Sequence, residues 1–137
     1  MTVENLEKEG DSQITFNEIK TPFFMSNRVY INTNYKLPSE DDNELTMMSS
    51  CRNNDHLYEK YAAKVGDAVK AANRIQYVNY KGFTKEDGTK GVYITQVNAL
   101  DLQGSIPELI KKEMAKQSAH GLDKIIAHLK VAYPGKN

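Results

Sequence analysis

The chain of 137 residues contains one cysteine, no surplus of either charge and no long apolar run. A single cysteine excludes a disulfide framework and any cysteine-rich zinc or iron–sulfur site, and it is typical of a reducing compartment. Eighteen basic residues balance eighteen acidic ones, which excludes a general polyanion binder because phosphate-backbone affinity depends on surplus lysine and arginine. No stretch of about 18 apolar residues is present to span a bilayer, and the N-terminus lacks a signal peptide's apolar core. We therefore expect a soluble cytoplasmic protein that binds no nucleic acid.

The length and the 39% hydrophobic content suit a single domain with its own core. Residues 1–12 are acidic and polar and show no apolar periodicity, so we predict a flexible N-terminal lead-in there. The domain itself is predicted over residues 13–133.

Alternating apolar and polar residues predict five strands, at residues 13–19, 28–35, 45–51, 74–83 and 91–100. Asp87-Gly88 between the last two is a hairpin signal, because glycine tolerates the positive φ that a tight turn requires. The strands therefore favour an antiparallel sheet.

Two stretches have helical periodicity instead. Apolar residues recur at spacings of one, three and four over Leu57–Ala72, with Asn54 or Asp55 as the cap, although Gly66 weakens a continuous helix. A longer helix is predicted after Ser105, which forms a capping-box pattern with Glu108. Pro107 is expected in its first turn, and Pro134-Gly135 is expected to end it.

No catalytic or metal-binding constellation is present among the polar residues. His120 and His128 share one face of the last helix, but Lys124 lies between them and opposes a cation. Cys51 has no partner motif and is expected to be a small buried hydrophobic residue. We therefore expect no enzyme, no metal and no cofactor.

Two segments resemble the StAR-related lipid-transfer (START) domain family. Residues 22–30, PFFMSNRVY, are similar to that family's strand entry P-x-P-x-S-N-R-D-Y, with Phe24 in place of the second proline and no acid after Arg28. Residues 93–98 followed by Gly104-Ser105-Ile106-Pro107 resemble the family's last strand and the turn before its C-terminal helix, with Asn98 in place of an aspartate. The resemblance extends over residues 13–130.

The resemblance implies an α+β helix-grip fold, in which a curved antiparallel β-sheet packs around a long C-terminal α-helix. It also implies that one lipid, a phospholipid or sterol-like molecule, is bound in an internal apolar cavity and transferred between membranes. Three alternatives stay open: a binding or regulatory module for another small apolar ligand, an enzyme of the same architecture, and an oligomerising fragment without a working cavity.

Arg28 matches the family's motif arginine and is expected to face a lipid headgroup, because a guanidinium binds oxyanions in a bidentate manner. A salt bridge within the sheet is the alternative role for Arg28. The other candidate lipid-binding residues are polar groups on the strands and apolar residues of the last helix: Tyr30, Tyr77, Gln96, Ile110, Met114, Leu122 and Ile125.

The resemblance also suggests two interaction partners, a second copy of the chain and a membrane surface. A complete family domain has an N-terminal helix and opening strands that have no counterpart here, so an open edge at the first predicted strand, residues 13–19, invites a homodimer by strand pairing or segment exchange. Lys111, Lys112 and Lys116 on the last helix either touch a membrane surface transiently during transfer or form a solvated face.

Overall fold

The computed structural model describes residues 1–132, which lie in two compact units. The first unit contains residues 1–83 and 92–104, and the second contains residues 84–91 and 105–132. The strands are β1 Thr2–Glu9, β2 Ser12–Ile19, β3 Arg28–Leu37, β4 Glu44–Ser50, β5 Val69–Lys70, β6 Ala72–Thr84 and β7 Lys90–Asp101. The helices are α1 Asp55–Lys60, α2 Ala62–Val65 and α3 Glu108–Ala132.

The strands form one sheet of seven, in the order β1-β2-β3-β4-β6-β7. The sheet is antiparallel except at β5, which pairs in parallel with Arg28 and Val29 at the start of β3. The predicted hairpin between β6 and β7 is confirmed: Lys85 N–H donates to Thr89 O over 2.8 Å, and Gly88 has a φ of 82°. The predicted antiparallel sheet is therefore confirmed.

The prediction of a flexible lead-in over residues 1–12 was wrong, because β1 pairs with β2 from Thr2 to Glu9. Most side chains of β1 are exposed, so the strand carries no apolar alternation from which it could be recognised. The expected open edge at residues 13–19 was wrong for the same reason, since β1 covers that strand. The edge strands of the sheet are β1 and β7.

The core of the first unit lies on one face of β2 and β3. Ile14 and Phe16 of β2 and Val29 and Ile31 of β3 are 8% exposed or less, and they occupy alternate positions that point to the same side. The short helices cover this face with three buried residues, Leu57, Tyr58 and Val65. Outside the core, Glu4 and Glu7 of β1 pair with Lys64 and Lys60 and tie the first strand to the same helices.

The predicted helix over Leu57–Ala72 is correct only in its first half. The chain leaves α2 at Gly66, whose φ of 51° and ψ of −133° suit glycine because it has no Cβ. Residues 69–70 then extend and pair with β3. Tertiary pairing with the central strand thus overrides the helical spacing of the apolar residues after Gly66.

The sheet has a gap beside the middle of β3. On that side β5 pairs with Arg28 and Val29, whereas β4 begins its pairing at Thr33. Two side chains replace the missing strand: Tyr58 Oη accepts a hydrogen bond from Ile31 N–H over 3.1 Å, and Asn54 Nδ2 donates to Ile31 O over 2.8 Å. Asn54 begins α1 but makes no side-chain capping hydrogen bond, because its amide is used in this gap.

Burial raises the pKa of Tyr58 to about 12, although its hydrogen bond with Ile31 opposes the shift. The pKa of an unfolded tyrosine is about 10, so the unfolded chain loses this proton first. The stability that the neutral phenol contributes is therefore complete below about pH 10 and is lost as the pH rises towards about 12. Urea unfolding at a series of alkaline pH values measures this decrease. Tyr58→Phe is expected to make the decrease shallower, and an unchanged slope would contradict the assignment.

In the second unit, α3 begins at Glu108 and the carbonyl of Pro107 accepts hydrogen bonds from Ile110 N–H and Lys111 N–H, over 3.0 and 3.1 Å. Pro107 thus directly precedes the first helical residue, and its carbonyl accepts the first hydrogen bonds of the helix. The predicted stop at Pro134-Gly135 lies outside the described residues. Packing of the sheet around this helix, the grip of the predicted fold, stays a prediction.

Within the described part of the chain, no helix combines the length and the apolar character needed to cross a membrane. Among the side chains that the structure describes, no group of three histidine, cysteine, aspartate or glutamate residues is placed to hold a metal ion.

Candidate functional site

The face of β2 and β3 opposite the core carries buried polar side chains. Strand register places Tyr30 opposite Asn17 and Asn32 opposite Thr15, and Arg28 precedes Tyr30 by two positions on the same face. All five side chains are buried, with relative exposures between 2% and 8%. We call Thr15, Asn17, Arg28, Tyr30 and Asn32 the polar row.

Hydrogen bonds hold the polar row in place. Asn17 Nδ2 donates to Tyr30 O over 3.3 Å and to Thr15 Oγ1 over 3.2 Å. Asn73 Nδ2 donates to Asn32 Oδ1 over 3.0 Å. In the part of the chain that the structure describes, every buried side-chain nitrogen and oxygen has a hydrogen-bond partner. The two amides of the row and the Thr15 hydroxyl are therefore held by hydrogen bonds within the chain.

Arg28 differs from the rest of the row because it is charged. Its Nε donates to Leu102 O and its Nη2 to Gln103 O, both over 3.4 Å, and its Nη1 donates to Ser26 O. Within residues 1–132 no carboxylate forms an ion pair with Arg28, so the salt bridge considered from the sequence is absent there. Its described acceptors are neutral carbonyls, which leave a buried cation without a counter-charge, an arrangement that an anionic ligand stabilises.

Two of the three carbonyls around Arg28 come from the segment that follows β7. Gln103 and Gly104 both have positive φ values, 56° and 71°, and this left-handed turn directs two successive carbonyls towards the guanidinium. Asp101 Oδ1 accepts a hydrogen bond from Gln103 N–H over 3.0 Å and fixes the turn. The segment therefore holds the Arg28 side chain in a defined orientation.

Tyr30 lies two residues beyond Arg28 and contributes a second polar group. Burial raises the pKa of its phenol, and Cys51 adds to the shift. The hydroxyl therefore remains a neutral donor at physiological pH. It donates to Met1 Sδ over 3.3 Å, and a thioether is a weak acceptor that a ligand oxygen readily replaces.

The remaining candidates are distributed over the molecule. Tyr77 pairs with Met48, which pairs with Tyr35, and this register places Tyr77 on the opposite face from Tyr30. Gln96 is exposed on β7, and Ile110 and Met114 are half-buried on α3 in the second unit. The side chains of Leu122 and Ile125 lie outside the described ones. The structure thus brings together Arg28 and Tyr30 and separates Tyr77 from them.

Sequence reasoning missed three members of the polar row, Thr15, Asn17 and Asn32. They alternate with the core residues of β2 and β3, and polar residues in such an alternation ordinarily form a solvated face. Their burial distinguishes them from the residues of a solvated face, and no local sequence pattern predicts that burial.

A surface depression of about 300 Å³ opens near the polar row. Its lining includes neither Arg28 nor Tyr30 and contains three charged residues, Glu18, Lys64 and Asp67.

No family model matches the chain, and no curated protein matches its sequence. Among solved structures, the chain is similar to the crystal structure of human STARD10, with a TM-score of 0.62 and 15% sequence identity. The match covers 98% of this chain and 51% of that chain, so this chain spans about half the length of that neighbour. At this identity the likeness shows the fold alone. The chain therefore has a START-like fold, and the resemblance seen in its sequence is confirmed at the level of the fold.

Proposed function

We propose that the chain binds a single lipid with an anionic headgroup and carries it between membranes. The observation that carries the proposal is the buried Arg28 guanidinium, whose described hydrogen-bond acceptors are neutral carbonyls. Because burying an uncompensated charge is costly, the side chain favours a ligand that supplies the missing negative charge. The START-like fold supports a lipid as the source of that charge.

The headgroup is assigned to Arg28 and Tyr30. Their Cα atoms are roughly 7 Å apart along β3, so one phosphate or carboxylate group can accept from the guanidinium while a neighbouring headgroup oxygen accepts from the phenol. Ile110, Met114, Leu122 and Ile125 of α3 stay in the proposal as contacts for the apolar part of the lipid. Tyr77 and Gln96 remain candidate lipid-binding residues, but they lie outside the proposed headgroup site.

Native mass spectrometry of the purified chain, followed by organic extraction, tests the proposal. We expect one adduct of phospholipid mass for each chain, and the extract then gives the headgroup class. An adduct of another apolar compound that competes with a fluorescent lipid would favour the binding-module alternative. A bare chain that takes up nothing from vesicles would overturn the proposal.

The same spectra report the expected homodimer. Of the two edge strands, β1 carries four charged residues, Glu4, Glu7, Lys8 and Glu9, and charged side chains on an edge oppose pairing with another chain. β7 has no charged residue between Lys90 and Asp101. We therefore place the proposed strand pairing at β7 instead of at the first predicted strand.

A further inference from the structure

The last strand of the sheet, β7, has an outer edge that no other described strand occupies. Proteins ordinarily protect such an edge with charged residues or proline. Between Lys90 and Asp101 the strand contains neither a charged residue nor a proline, and it is long, at 12 residues. The row of backbone N–H and C=O groups along this edge is therefore an unprotected template for another strand.

Apolar side chains are exposed on both faces of β7. On one face Val92 and Leu100 are 57% and 38% exposed, and on the other Tyr93 and Val97 are 64% and 50% exposed. A helix or a bound small molecule would cover only one of these faces. A strand added at the edge places its side chains alternately on both faces, so it contacts apolar residues on each of them. The occupant that fits this edge is therefore a strand.

The charges at the two ends of β7 favour a second copy of β7 as that strand, in antiparallel orientation. The strand begins at Lys90 and ends at Asp101. When two copies pair antiparallel, the Lys90 end of each lies beside the Asp101 end of the other, and the opposite charges attract. A parallel pair places like charges together, which opposes pairing. Strand β1 is a poorer partner, because its four charged residues find no opposite charges along the middle of β7.

The sequence of β7 is self-complementary in one register of this pair. A two-fold axis between two copies of a strand in one sheet places residues of the same face opposite each other. With Thr95 on the axis, the two copies of Thr95 face each other, and Tyr93 of each copy faces Val97 of the other. Threonine pairs and pairs of an aromatic with a β-branched residue are among the cross-strand pairs that stabilise sheets. A pair centred on Gln96 instead loses the contact between Tyr93 and Val97.

We propose that two copies of the chain form a closed dimer by antiparallel pairing of β7 with β7, with Thr95 on the two-fold axis. The dimer uses the unprotected edge of both copies and leaves the charged strand β1 at each outer end. Further copies therefore do not add to it as a filament. The proposal rests on the homodimer of the proposed function and gives its edge, its orientation and its symmetry. The pairing itself requires no bound lipid.

Cysteine cross-linking tests the register. The background variant Cys51→Ser removes the single cysteine of the chain. In that background Thr95→Cys places two thiols directly opposite each other, with Cβ atoms about 4.5–5.5 Å apart, and mild oxidation is expected to give a disulfide-linked dimer on a non-reducing gel. Gln96→Cys is the matched control, because its two copies lie about 7–8 Å apart on the diagonal, beyond the usual reach of a disulfide. Equal cross-linking at both positions, or none at position 95, would overturn the proposal.

Weakening of the dimer gives a second readout. Thr95→Lys places two positive charges directly opposite each other, which opposes pairing. We expect the dissociation constant of the dimer, measured by analytical ultracentrifugation, to rise about tenfold. Val3→Lys is the matched control, because Val3 is 54% exposed on the other edge strand, β1, and we expect it to leave the constant unchanged. Equal effects of the two variants would contradict pairing at β7.

Pairing at β7 and lipid carriage fail separately. If the Thr95→Cys variant cross-links while the unmodified chain yields no lipid adduct, the dimer stands and lipid carriage does not. If the unmodified chain carries a lipid adduct and is dimeric but the Thr95→Cys variant does not cross-link, lipid binding stands and the proposed pairing is overturned. An unmodified chain that stays monomeric also overturns the pairing, and the edge of β7 is then assigned to a strand of another protein.

Discussion

Asn54→Ala is expected to lower the free energy of unfolding by about 3 kcal/mol, because it removes a buried amide and leaves its partners without donors or acceptors. Asn54 is 5% exposed. Its Nδ2 donates to Ile31 O over 2.8 Å, and its Oδ1 accepts from Thr33 Oγ1 over 3.2 Å. Urea unfolding followed by circular dichroism measures the change.

Two variants make this result specific. Asn98→Ala removes the same side chain from an exposed position of β7, and we expect a change within about 0.5 kcal/mol. Combining Asn54→Ala with Tyr58→Phe tests whether the two side chains act together on Ile31, and a total well below the sum of the single effects is expected because both fill one gap. A change below about 1 kcal/mol for Asn54→Ala would show that the gap is closed in another way.

Arg28→Gln is expected to reduce the affinity for a lipid with an anionic headgroup roughly tenfold to hundredfold. A charge-assisted hydrogen bond is worth about 1.5–3 kcal/mol, and each 1.4 kcal/mol is about a factor of ten in affinity. Glutamine keeps a donor for the surrounding carbonyls, so the sheet is expected to stay folded. Displacement of a fluorescent phospholipid from the purified protein gives the affinity.

The matched control for this variant is Arg52→Gln, which removes an exposed arginine and the same formal charge. We expect it to leave lipid affinity unchanged, because Arg52 lies outside the headgroup site. Since both variants lose one positive charge, the comparison also separates loss of the site from loss of net charge. Equal losses for Arg28→Gln and Arg52→Gln would show that the effect is one of net charge. Unchanged affinity in Arg28→Gln would remove Arg28 from the headgroup site.

Five of the seven strands were predictable, because their apolar residues alternate with a period of two. β2, β3, β4, β6 and β7 begin and end within a few residues of the predicted bounds. β1 was not predictable, since its sequence is mostly polar and charged and carries no such alternation. The second half of the predicted helix failed at Gly66, where an unusual backbone conformation redirects the chain towards β3.

The candidate site was predictable in part. Arg28 and Tyr30 were identified by a motif resemblance, and their shared face follows from a spacing of two residues. Tyr77 was placed with them because the register between strands decides which faces coincide, and a single sequence does not specify that register. The absence of a described carboxylate beside Arg28 is a property of the folded chain, which no local pattern encodes.

The gap beside β3 has a consequence for how the sheet comes apart. β3 pairs with β2 over residues 28–34 and with β4 over residues 33–37, so the two ladders overlap at Thr33 and Asn34. None of the core residues described above belongs to β4. We therefore expect separation of β4 from β3 to leave this core closed, and the amide protons of β4 to exchange with solvent at a lower free energy than those of β2. On that expectation the sheet opens stepwise, with Asn54 and Tyr58 at the boundary between the two steps.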